Sequence, residues 1–222
     1  LNSPSLSQCL LANSPLITKH AVVTPFLPLR VFEQYVKFEK SVVEAGYCAG
    51  FARDLTVICS GVGAHNVFGV LEALKGTRCA GVMFIGSCGG LGRTRIGDIL
   101  IAEVCDPSGL RGFREKFEAF LKKGGVVFET SKIYSVESVK DETQALIDNL
   151  EKGGFGGVDL ETGVFTRVAA SNGLNACAAL YATDRPLKRP FTEKFTKEER
   201  EKIVLARDTV VRNTVAFLEG LP

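Results

Sequence analysis

Three carboxylates stand at positions where a catalytic acid or a hydroxyl clamp would be needed. Asp159 and Glu161 open an apolar helical run and Asp184 closes an apolar strand-like run, all within 157–186, GVDLETGVFTRVAASNGLNACAALYATDRP. A buried carboxylic acid can protonate a leaving group, and an ionised one can accept hydrogen bonds from a substrate's hydroxyls. Open α/β sheets bind ligands beyond the carboxyl ends of their strands, so an Asp ending a buried strand is well placed for chemistry. A purely structural role exists for the same residue: Asp184 would cap the turn into Pro186.

The elements around these acids follow from periodicity. Val164, Val168 and Ala169 form a helical face, Ser171-Asn172-Gly173 is its stop, and 176–182 is a buried strand. Earlier, Ala21-Val22-Val23 predicts a short strand leading into Pro25-Phe26-Leu27-Pro28-Leu29-Arg30, and 31–39 predicts a helix with Phe32, Tyr35 and Val36 on one face. A strand at 55–59 turns through Ser60-Gly61-Val62-Gly63-Ala64-His65-Asn66 into a helix bearing Val67, Val70, Leu71 and Leu74. That turn is not a dinucleotide fingerprint, because Asn66 occupies the third glycine position and no acid closes a second strand at the usual distance. His65 either contacts a ligand or bonds locally at the helix start.

Further on, 81–91 reads as a strand with a glycine-rich turn, followed by a second strand ending at Ala102. Amides of that turn with the Ser87 hydroxyl would make an anion nest, and a tight turn requiring positive φ is the structural alternative. Phe113, Phe117, Phe120 and Leu121 repeat at helical spacing within 111–123, which marks a core face. A strand at 126–134 precedes Ser138-x-x-Asp141, which opens a helix through Leu150 stopped by Gly153-Gly154. Thr196-Lys197-Glu198-Glu199 is a capping box for a last helix lined by Val204, Val211, Val215 and Leu218.

Strands alternate with helices throughout, which predicts a three-layer α/β/α sandwich around a mixed central sheet. With 222 residues and 45% hydrophobic content the chain can bury one full core. We read 1–222 as a single domain, with 1–18 as an N-terminal extension. The net charge of +2 and the scattered basic residues exclude nucleic acid or an anionic membrane as the expected partner. Seven widely spaced cysteines without a C-x-x-C, and only His20 and His65 as imidazoles, predict a reduced cytoplasmic protein with buried thiols and no metal site. Residues 1–11 lack the basic start, apolar centre and cleavage site of a signal peptide, and no apolar run reaches the ~18 residues of a membrane span.

Asp159-Leu160-Glu161 and Thr183-Asp184 together resemble the signature of the nucleoside phosphorylase and nucleosidase superfamily. There an acid, an apolar residue and a Glu open a helix, and a following strand ends in Ser-Asp or Thr-Asp. The likeness extends from Ala21 to Leu218 and implies the same sandwich fold. It implies that Glu161 holds the ribose hydroxyls, flanked by Asp159 and Leu160, and that Asp184 protonates N7 of a purine. The loop containing Val62 would lie beside the ribose and Tyr134 against the base. Arg30 and Ser87 would hold phosphate, and Arg200 matches an Arg that approaches the catalytic Asp. Two positions depart from the pattern. The Gly-Asp of Pro-Gly-Asp-Pro-x-Arg is Phe26-Leu27 here, and the Arg that hexameric phosphorylases carry two residues before Gly-Ser is Phe84. The implied reaction is phosphorolysis of a nucleoside, with a purine as the expected base, phosphate as co-substrate, no other cofactor and a homo-oligomer of dimer to hexamer size. Hydrolysis by a nucleosidase and non-catalytic nucleoside binding are the rival readings. Nucleosidases carry a water-activating Glu near the end of the first strand, and the nearest acid here, Glu33, does not align.

Overall fold

Short runs of branched and small apolar residues pair into one nine-stranded mixed sheet. The computed structural model of the chain describes residues 10, 13–44, 47–103 and 110–221. The strands are β1 (His20–Thr24), β2 (Lys40–Glu44), β3 (Tyr47–Phe51), β4 (Thr56–Cys59), β5 (Gly81–Gly90), β6 (Ile99–Ala102), β7 (Glu129–Ser135), β8 (Phe155–Asp159) and β9 (Asn175–Asp184). Their order is β2-β3-β4-β1-β5-β8-β7-β6-β9, and β9 also pairs with β5. Five strands therefore close on one another at one side of the sheet.

β5 is the hub. It runs parallel to β1 and to β9, and its last two residues pair antiparallel with β8. The β5–β9 ladder extends from Gly81 opposite Asn175 to Gly89 opposite Asp184, with a bulge after Cys88. A Cβ at Gly89 would come within 2.5 Å of the Pro186 ring, so glycine is what allows the exit from β9 to lie across β5.

Helices cover both faces: α1 (Leu29–Phe32), α2 (Ala64–Lys75), α3 (Leu110–Lys123), α4 (Gln144–Lys152), α5 (Thr162–Ser171) and α6 (Lys197–Glu219). Alternation along β5 and β9 sends Val82, Phe84, Ala178 and Leu180 toward Val67, Val70, Phe165 and Val168 of α2 and α5. Met83, Ile85, Cys177 and Ala179 go the other way, onto Phe32, Phe117, Val210 and Val211 of α1, α3 and α6. Each fully buried Val, Leu, Ile, Met or Phe among them contributes about 1.5–3 kcal/mol through loss of water contact, so both layers are held chiefly by their apolar faces. A smaller cluster under α4 joins Leu91, Val136, Ile147, Leu150 and Val158. The three expected layers are present around the mixed sheet.

Several expected boundaries move. The helix expected at 31–39 stops after one turn at Phe32, because the Glu39 N–H already bonds Phe51 O (2.8 Å) and Phe38 packs flat beneath Gly50. The β2–β3 hairpin and β8 were not foreseen, the latter because Phe-Gly-Gly-Val-Asp has weak strand propensity. The Ser138–Asp141 capping box does form, but on a 3-10 turn, and α4 starts afresh with Thr143 as its cap. The strand expected from 126 begins at Glu129, whereas the capping box of the last helix forms as expected between Thr196 and Glu199.

Within 1–18, Leu10 and Ile17 are buried in the α2/α5 core. Most of 1–11, on which the signal-peptide reading rests, lies outside the described residues, as do Cys9 and Cys105. Of the described cysteines, Cys79, Cys88 and Cys177 are buried as expected, but Cys48 and Cys59 are only half-buried, because they sit near strand ends. No helix among the described residues is long and apolar enough to cross a membrane. No group of three or more potential metal ligands occurs among those residues.

Candidate active site

β8 ends at Asp159, and the chain turns directly into α5. Asp159 Oδ1 accepts from Ser135 Oγ (2.5 Å), and Oδ2 accepts from the Thr162 N–H (3.0 Å) and the Thr162 hydroxyl. Ser135 Oγ in turn accepts from the Gly163 N–H (2.8 Å). Two orphan donors of the first turn of α5 are satisfied in this way, and the ends of β7 and β8 are tied to it. Burial raises the Asp159 pKa against the pull of its donors. With both oxygens engaged by protein groups, Asp159 braces the start of α5 instead of offering a free acceptor to substrate. The Asp-x-x-Thr spacing is the sequence signal of this brace.

Glu161 is the N-cap residue of α5 and is 5% exposed. Its Oε1 accepts from the Gly63 N–H at 2.7 Å, and Gly63, at φ +107°, is the N-cap residue of α2. A side chain would be strained at that φ. The starts of α2 and α5 thus meet at one carboxylate. Their other ends are clipped by Asn172 Nδ2, which donates to Leu71 O (3.1 Å) and to Glu72 Oε1 (3.0 Å). Burial is the main cause that pushes the Glu161 pKa up to about 7; Gly63 opposes it and the Asp159 charge adds to it. A backbone amide at Leu160 also favours the charged carboxyl, and the Gly63 bond occupies Oε1 alone.

Asp184 ends β9, also 5% exposed. Its Oδ2 accepts from the Phe191 N–H (3.1 Å), and Thr183 Oγ1 lies 3.2 Å from Oδ1. Burial raises its pKa against both donors. The loop that supplies Phe191 is fastened by Arg189, whose guanidinium donates to both oxygens of Glu199 (2.9 and 2.8 Å) and to Glu193, and lies over the Phe195 ring. Arg185 and Arg189 also exchange backbone hydrogen bonds of 2.9 and 2.7 Å. The buried Cys88 thiol is pushed up by burial and then by the charges of Asp159 and Asp184, so it lies within reach of both.

A fourth carboxyl joins this group. Glu142, half-buried after the 3-10 turn, is raised to about 7 by burial and then by the Asp184 charge. Nothing in its charged local sequence set it apart.

The remaining site residues divide. Arg30 is exposed on α1 and lines a cleft of about 590 Å³ with Phe26, Tyr181, Thr183 and Arg207. Ser87 lies opposite Tyr181 in the ladder, on the face that carries Met83 and Ile85, so it shares that side of the sheet without lining the cleft. Phe26, 41% exposed, is a wall of the cleft, while Phe84 is fully buried against Phe165 with ring centroids 5.2 Å apart. The position that would hold a second phosphate-binding Arg is therefore core. Arg207, which sequence reasoning missed, adds a cation there and pairs with Asp208 (2.8 Å).

Tyr134 is not brought to the acids. Alternation along β7 places it opposite in sense to Ser135 and Asp159, and its ring packs edge-on to Phe155 at 5.9 Å. Leu160 packs against the α4 cluster, and Val62 is exposed in the loop just before Gly63. His65 is exposed at the start of α2. Arg200 donates to Phe195 O (2.7 Å) and lines an outer recess of α6 with Val204 and Leu205, with no hydrogen bond to Asp184 among the described residues. Arg189, not Arg200, is the cation that organises the Asp184 loop.

No family sequence model matches the chain, and no curated protein matches it by sequence. Its structure is similar to solved structures over nearly its whole length. Uridine phosphorylase from Vibrio fischeri ES114 superposes with a TM-score of 0.78 at 18% identity, covering 94% of both chains. Purine nucleoside phosphorylase from Toxoplasma gondii, in complex with immucillin-H, gives 0.75 at 15% identity over 92% of both. The 5'-methylthioadenosine/S-adenosyl homocysteine nucleosidase of Campylobacter jejuni gives 0.71 at 13% identity, over 92% of this chain and 100% of that one.

Proposed function

We propose that this chain, which carries the nucleoside phosphorylase-like fold, cleaves the N-glycosidic bond of a nucleoside by phosphorolysis. The observation that carries the reading is the pair of buried carboxyls at adjoining element ends, Glu161 and Asp184, each held by a backbone N–H and each raised in pKa. A glycosidic bond to a nucleobase breaks toward an oxocarbenium-like sugar, and the base leaves with the bonding electron pair. Burial raises the Asp184 pKa and so favours the protonated form, which can deliver its proton to the departing nitrogen. Asp184 takes that role, with N7 of a purine as the expected acceptor. Glu161 accepts hydrogen bonds from the ribose hydroxyls and so fixes the sugar while charge develops. Phosphate, attacking the anomeric carbon, would be drawn by Arg30 and Arg207 toward the side of the sheet that carries Ser87.

Phe84 in the core favours a second reading, hydrolysis, because it removes one expected phosphate ligand. Base release from a panel of nucleosides, followed with and without phosphate, decides between them. Release that requires phosphate is expected. Release without it supports hydrolysis, and binding with no release supports a nucleoside-binding protein. A homo-oligomer and a cytoplasmic setting belong to the same proposal. The exposed side chains of Phe26, Val62, Phe68 and Phe191 support the former, and the free thiols the latter.

A further inference from the structure

We propose that Cys48 and Cys59 form an oxidisable dithiol that low-molecular-weight disulfides convert to an intramolecular cross-strand disulfide. The two residues are direct partners in the antiparallel β3–β4 ladder. Counting alternation from the Ala52 N–H bond to Leu55 O (2.9 Å), through Gly50 opposite Val57, makes them a hydrogen-bonded pair. Cα atoms of such a pair lie about 5.5 Å apart, within the roughly 4.4–6.8 Å that a disulfide spans. Cross-strand partners project to the same face, and the Cys48 and Cys59 thiols are within hydrogen-bond reach of each other. Closing the bond draws their Cβ atoms, about 4.5–5.5 Å apart in such a ladder, toward the roughly 3.5–4.5 Å of a disulfide. Both thiols are free and half-exposed, whereas Cys79, Cys88 and Cys177 are buried.

The surroundings give the pair direction. Cys59 Sγ donates to Pro25 O at 3.7 Å, and the Leu29 N–H faces the Cys48 sulfur. The dithiol therefore touches both ends of the segment that carries Phe26 and leads into Arg30. The Cys48 S–H supports a thiolate on Cys59, whose pKa falls to about 7, while Cys48 is raised. Thiolate is the attacking species in thiol–disulfide exchange, so Cys59 reacts first. Its sulfur attacks one sulfur of RSSR, the S–S bond breaks, and RS⁻ leaves with the electron pair. Cys48 then gives up its proton, attacks the Cys59 sulfur of the mixed disulfide and expels the second RS⁻. Two cysteine thiols are oxidised and RSSR is reduced to two RSH. In the disulfide neither sulfur can carry a proton for Pro25 O, so the fastening that the protonated Cys59 thiol gives the Arg30 segment below about pH 7 is lost. None of this depends on which nucleoside the protein takes.

The test is to treat the folded protein with oxidised glutathione, block remaining thiols by alkylation and map the peptides by mass. Expected are a Cys48–Cys59 linked peptide and loss of both alkylation sites, reversed by dithiothreitol, with faster amide hydrogen exchange at 25–30 in the oxidised form. Cys48→Ser should stop at a glutathione adduct on Cys59. Full alkylation of both residues after treatment, or a glutathione adduct on Cys59 of the wild-type chain without the linked peptide, would overturn the proposal.

Discussion

The two sides of the sheet treat charge in opposite ways. On the side of α2 and α5, Asp159, Glu161 and Asp184 are each about 5% exposed and each held by backbone N–H or hydroxyl donors. On the side of α1 and α6, Arg30 is exposed and Ser87 half-buried, and neither makes a side-chain hydrogen bond or ion pair with a described residue. Groups that must work at a shifted pKa have to be buried and positioned before a ligand arrives, because burial is what shifts them. A cation that recruits an anion needs only charge and reach. The acid side is thus built in advance, and the cation side is left to the ligand to order.

Variants on each side should fail differently, and the largest effect belongs to the acid. Asp184→Asn keeps an acceptor for the Phe191 N–H, so it should unfold like the wild type while turnover drops by roughly 10²-fold or more. Wild-type turnover should also decline as pH rises through the raised Asp184 pKa. A variant as active as the parent would remove Asp184 as the acid. Asp159→Ala should lose about 2–3 kcal/mol in urea unfolding, since it leaves Ser135 and the first turn of α5 without their acceptor. Unchanged stability would mean that Asp159 is no brace.

On the cation side, Arg30→Ala should weaken phosphate binding by about 1.5–3 kcal/mol, or roughly 10- to 150-fold, in a calorimetric titration, with no change in melting temperature. If affinity is retained, Arg207 or another cation builds the anion site and the contrast between the two sides must be redrawn. The smallest effect concerns Glu161. Its pKa rises on folding to about 7, so the fold favours the neutral acid, and that contribution is full below the unfolded value and lost as pH rises through about 7. Glu161→Gln lacks this loss, so between about pH 5 and pH 8 the wild type should fall in melting temperature relative to the variant. Parallel melting curves would show that Glu161 is not shifted.

Sequence reading located the acids better than it located their supports. Asp159, Glu161 and Asp184 were legible because they interrupt apolar runs, and the folded chain places them at the ends of β8 and β9 and the start of α5. The Gly63 N–H on Glu161 was not legible, since it joins distant parts of the chain through one backbone amide whose position depends on a positive φ. Arg200 was placed near Asp184 by likeness alone, and only the folded loop shows that it donates to Phe195 O while Arg189 reaches Glu199. Tyr134 misled by parity: one residue along a strand reverses the face, so register decided what composition could not. The β2–β3 hairpin escaped because 31–39 carries a helical pattern that pairing with Phe51 overrides.

The return of β9 to β5 also bears on how copies of this chain can stick together. An open sheet has two edge strands, each a template of unpaired amides and carbonyls for another chain. Here one of those edges is consumed by the closure, and among the described strands β2 is left as the terminal one. It is five residues long and begins and ends with charge, at Lys40 and Glu44, features that discourage edge-to-edge growth. Ordered assembly of this protein is therefore expected to proceed through side chains, and among the described strands sheet-extending aggregation has one, poorly inviting point of entry.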